Sequence, residues 1–82
     1  MLGAPTAFHP INDTARALAL KHKADAEAKL GKTLATFNPT QYKTQVVAGT
    51  NYFIQVDIGG GANVELTIWA KLDQTTELTD AK

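Results

Sequence analysis

The chain of 82 residues contains no cysteine and no serine. The first absence excludes disulfide staples, a thiol nucleophile and a zinc-thiolate site. The second excludes a serine nucleophile worked by a histidine. Lack of cysteine also fits a reducing compartment. Net charge is missing as well: eight basic residues balance eight acidic ones, so no global attraction draws the chain to nucleic acid or an anionic membrane. Aromatic residues are few and are not interleaved with a basic stripe, which argues further against nucleic-acid binding. No segment approaches the ~20 apolar residues of a membrane span. Met1 to Pro10 has neither a basic start nor a long apolar run, so no signal peptide is expected. These absences predict one soluble, cytoplasmic domain over residues 1–82. Its core should be modest, burying roughly 60–65 % of the unfolded surface.

What is present changes period along the chain. Met1 to Ala7 has Gly3 and Pro5 close together and no periodicity, so residues 1–8 read as a flexible N-terminal trunk. Between Pro10 and Lys32, the residues Ile11, Ala15, Leu18, His22, Ala26 and Leu30 recur three and four apart, one stripe of a single helix. Asn12, Asp13 and Thr14 offer caps, and Gly31 a stop. Asn12-Asp13-Thr14 also matches a glycosylation sequon, but without a secretory signal the capping role is preferred. Lys23 and Glu27, four apart, predict a weak surface pair. Alanines at 15, 17, 19, 24, 26 and 28 favour helix and allow a sheet to approach closely.

From Leu34 the period becomes two. Phe37 to Val47 alternates raggedly, and Pro39 within it predicts an edge or a bulge. Tyr52, Ile54, Val56 and Ile58 form a clean apolar face, as do Val64, Leu66, Ile68 and Ala70 after the turn Gly59-Gly60-Gly61. Connections this short require antiparallel neighbours. The fold class is therefore α+β, one N-terminal helix packed on an antiparallel sheet. After Leu72 the pattern fades, leaving at most a short strand.

Catalytic constellations are not found. Gly59-Gly60-Gly61 precedes a strand, whereas a phosphate cradle opens a helix. His9 and His22 have no third ligand at metal spacing, so no metal or other cofactor is expected. The acidic residues are scattered over exposed positions and do not form a working pair. The chain does not read as an enzyme. One stretch stands out: Gln45-Val46-Val47-Ala48-Gly49 sits between two strand patterns as a hairpin tip, yet is apolar where tips are usually polar. An apolar tip offered to solvent suggests that something docks there; the alternative is that the valines face the core.

That stretch resembles the Gln-x-Val-x-Gly first binding loop of the cystatins. Its flanks, Gln41-Tyr42-Lys43-Thr44 before and Thr50-Asn51-Tyr52-Phe53-Ile54 after, resemble the stefin branch. So do the opening Met1-Leu2-Gly3-Ala4-Pro5 and the strand Leu66-Thr67-Ile68-Trp69. The resemblance covers residues 1 to about 72, and it implies a curved sheet and a reversible, tight-binding inhibitor of papain-like cysteine proteases of the cathepsin type. It implies three contacts: Met1, Leu2, Gly3 and Ala4 of the trunk in the non-primed pockets, Gln45 to Gly49 (Val46, Val47 and Ala48 between them) over the catalytic cysteine, and Leu72, Asp73 and Gln74 on the primed side. Two departures accompany it. The second loop lacks the family's proline dipeptide, and the last strand is expected to be missing or reduced to Glu77-Leu78-Thr79. Without that strand, the one containing Trp69 becomes an edge. The alternative reading is then a non-inhibitory module of the same fold that assembles with itself, as a monomer opening into a domain-swapped dimer.

Overall fold

A computed structural model describes residues 7–82. Five strands form one antiparallel sheet in chain order: β1 (His9–Pro10), β2 (Asn38–Val47), β3 (Gly49–Gly59), β4 (Ala62–Ala70) and β5 (Thr76–Ala81). The helical segment lies between β1 and β2 and covers one face.

That segment is not the single helix that its periodicity predicts. It divides into α1 (Asp13–Lys21) and α2 (Lys23–Leu30), with His22 between them at φ −101° and ψ 16°. Asn12 caps α1 by accepting from the Ala15 N–H at 2.8 Å, and its amide donates to the Tyr42 hydroxyl at 2.9 Å, which fixes the helix start on β2. Gly31 ends α2 in the left-handed region at φ 73°. The Glu27 carboxylate does not serve the expected pair with Lys23; it accepts from the Leu34 N–H at 2.8 Å and ties down the chain leaving the helix.

The predicted stripe faces the sheet, with Ile11, Leu18 and Leu30 partly buried, and Ala19, outside that stripe, joins it. Ala15, Ala19 and Ala26 are fully buried against Ile54, Val56, Leu66 and Ile68 of the central strands. Alanine at the contact lets the helix backbone approach the sheet, so the larger strand residues fill the space.

Two bulges explain where alternation fails. Register slips between Pro39 and Gln41, leaving Thr40 as an extra residue, so Pro39 opposes Val56 while Tyr42 opposes Ile54. A second slip leaves Thr79 extra, so Leu78 opposes Ile68 and Ala81 opposes Leu66. Leu78 is 5 % exposed and belongs to the core. The C-terminal strand is thus neither missing nor reduced to Glu77-Leu78-Thr79. It pairs with β4 from Thr76 to Ala81, and the strand containing Trp69 is not an edge.

Candidate functional site

Three connections meet at one end of the sheet. β2 turns into β3 at Ala48, between the paired Val47 and Gly49. β4 turns into β5 between Ala70 and Thr76, which pair with each other, and Ala70 lies beside Thr50. β1 runs antiparallel to β2 with His9 opposite Tyr42 and Pro10 opposite Gln41, so the chain enters β1 from this same end. Phe8 marks the entry, with the Lys43 ammonium 4.5 Å from its ring centre. Because sheet order follows chain order, the entry, the first tip and the second turn stand in one row. Met1, Leu2, Gly3 and Ala4, expected to complete that row, lie outside the described residues.

The first tip is apolar and open. Val46 is 60 % exposed and Ala48 is exposed, whereas Gln45, Val47 and Gly49 are half-buried. Gly49 has φ 98°, a conformation that side chains resist. A Cβ there would collide with the Ala70 carbonyl oxygen and come within 3.2 Å of the Lys71 Cα. This glycine is therefore required by the fold itself, for the passage of β4 beneath the tip. The tip is also held from the open face of the sheet: the Trp69 indole N–H donates to the Ala48 carbonyl at 2.7 Å.

The second turn is compact despite lacking proline. The Lys71 N–H donates to the Thr75 carbonyl at 2.8 Å, and the Gln74 N–H to the Lys71 carbonyl at 3.1 Å. Asp73 accepts from the Thr75 N–H at 3.0 Å and from its hydroxyl at 2.6 Å, an Asx turn. These bonds, the hydroxyl's above all, hold the Asp73 carboxyl below its ordinary range. Gln74 sits at φ 72° and Leu72 is 79 % exposed. The turn projects one large apolar side chain and is stiffened behind it.

Of the residues that sequence singles out, Gln45 to Gly49 and Leu72, Asp73 and Gln74 come together at one end. Trp69 entered only as part of a resembling strand, with no role of its own, and Lys71 and Thr75 were not singled out. Their roles depend on backbone carbonyls and on a turn of four residues, which side-chain periodicity does not report. Among the described residues no group of three acidic or histidine side chains is placed to hold a metal ion, and no helix is long and apolar enough to cross a membrane.

The model of the cystatin domain matches residues 4–81. Cystatin-B of Paralichthys olivaceus is 47 % identical over 60 residues, which cover 70 % of this chain and 61 % of that protein. Cystatin-A8 of Sus scrofa is 36 % identical over 77 residues, covering 94 % of this chain and 75 % of the relative. Cystatin-B of Sus scrofa is 39 % identical over 72 residues, covering 88 % and 74 %.

Proposed function

The chain belongs to the cystatin family, in its stefin branch, and on that footing we propose that it is a reversible, tight-binding inhibitor of papain-like cysteine proteases of the cathepsin type, acting in the cytoplasm. Members of this family are protease inhibitors, not enzymes. The observation that carries the reading is the row of exposed apolar groups at one sheet end, with Val46 on the first tip and Leu72 on the second turn.

A protease cleft is a long concave groove with its nucleophile at the bottom. A row of tips matches it as a wedge. The first tip covers the catalytic cysteine and histidine, Leu72 with Asp73 and Gln74 rests on the primed side, and the trunk residues Met1, Leu2, Gly3 and Ala4 extend into the non-primed pockets. The tip and turn are preorganised, so little conformational entropy is lost on docking, and buried apolar area supplies the affinity. The wedge places no scissile carbonyl on the nucleophile, so no covalent step follows.

Inhibition followed by dilution tests this. Papain activity should return as the complex dissociates, and the recovered chain should have its original mass. A chain cut within Gln45 to Gly49 would show instead that the tip binds as a substrate.

A further inference from the structure

Trp69 stands between the two projecting connections. It faces away from the helices, since its neighbour Ile68 is fully buried in the core and successive strand residues alternate. Its indole N–H reaches the tip, at the Ala48 carbonyl, 2.7 Å away. The ammonium of Lys71, the residue that closes the second turn, lies 5.3 Å from the ring centre. Lys71 is held in turn by Glu77, 3.0 Å away, and Glu77 is the cross-strand partner of Trp69.

A two-strand connection with one residue at its apex has few ways to satisfy that residue's carbonyl. The Ala48 carbonyl points back at β4 and takes its donor from the Trp69 indole, 2.7 Å away. Phenylalanine or tyrosine could fill the same space, but neither carries a donor at the indole nitrogen's position. Gly49 makes the bond reachable, because its lack of a Cβ lets the Ala70 backbone lie under the tip.

We infer that Trp69 is a positioning residue: its indole N–H fixes the first tip in its docking geometry, and its ring, flanked by Lys71, sets the tip's place relative to the second turn. The inference rests on the inhibitory reading for its consequence in binding. The bond itself can be tested without it.

Trp69→Phe keeps the ring and removes the donor. In the free protein, the wild-type indole N–H should exchange slowly with solvent, and the variant should show faster backbone motion confined to residues 46–50 by amide relaxation. Against papain, the inhibition constant of the variant should rise roughly three- to tenfold, the range for one hydrogen bond. That rise should not add to the effect of Val46→Ala on the same tip, yet should add to the effect of deleting residues 1–3. Unchanged tip motion overturns the inference, as does a loosened tip with an unchanged inhibition constant. If the wild-type chain does not inhibit, the inhibitory reading fails, and tip motion alone decides the role of Trp69.

Discussion

His22 and Thr76, 54 residues apart, meet at 2.8 Å between the imidazole Nε2 and the threonine hydroxyl. The other ring nitrogen lies 2.8 Å from the Asp25 carboxylate, and Lys21 donates to the same hydroxyl at 3.1 Å. His22 is 5 % exposed, and Thr76 is the first residue after the second turn. The break between α1 and α2 therefore fastens the strand on which that turn is mounted.

His22→Ala removes both bonds and leaves a cavity, at a cost of about 2–3 kcal/mol. Thr76→Val, which keeps the shape, should cost about 1 kcal/mol. Each kilocalorie lowers the melting temperature by roughly 4–8 °C in a domain of this size. Thermal unfolding followed by circular dichroism reads both. Equal melting temperatures for the two variants and the parent would remove the fastening role.

Gly49→Ala should damage the free protein, not only its complexes. The positive φ and the collision with Ala70 together cost about 2–3 kcal/mol. Urea unfolding should show a lower midpoint before any protease is added. Unaltered stability with lost inhibition would instead assign Gly49 to close approach of the enzyme alone.

The second turn should loosen in acid. The Thr75 bonds lower the Asp73 pKa relative to the unfolded chain. The stabilisation is thus complete above the unfolded-state value and is lost as pH falls through the folded-state one. The Thr75 amide should report that transition below about pH 4, and Asp73→Asn should abolish it. The same titration in the variant would mean that another group is responsible.

Deleting residues 1–3 should weaken protease binding roughly 10- to 150-fold if the Leu2 side chain fills a pocket. The loss should lie mainly in faster dissociation. An unchanged dissociation rate would end the trunk's role.

The helix stripe, the two clean central strands and the apolar tip were legible because each obeys one period. What escaped the sequence has a specific physical cause. The break at His22 contains neither glycine nor proline, and the stripe runs straight through it because His22 itself is buried. β5 was obscured by its bulge: with Thr79 extra, Leu78 and Ala81 face the core three residues apart, a spacing that strand alternation does not predict. β1 is only two residues long and is defined by its partner, not by its own pattern. Trp69 sat on the polar face of its strand, and its partner is a backbone carbonyl 21 residues away. The second turn looked eroded for want of proline, although Asp73 and Thr75 hold it by side-chain bonds.

The most direct test is a titration of active papain with the purified monomer, following hydrolysis of a small dipeptide substrate. The wedge predicts a linear loss of activity that reaches completion at one chain per enzyme at about nanomolar concentrations, which correspond to ~12 kcal/mol of binding. Full activity with about micromolar monomer, far above that range, would contradict inhibition and leave a cystatin fold that serves another partner.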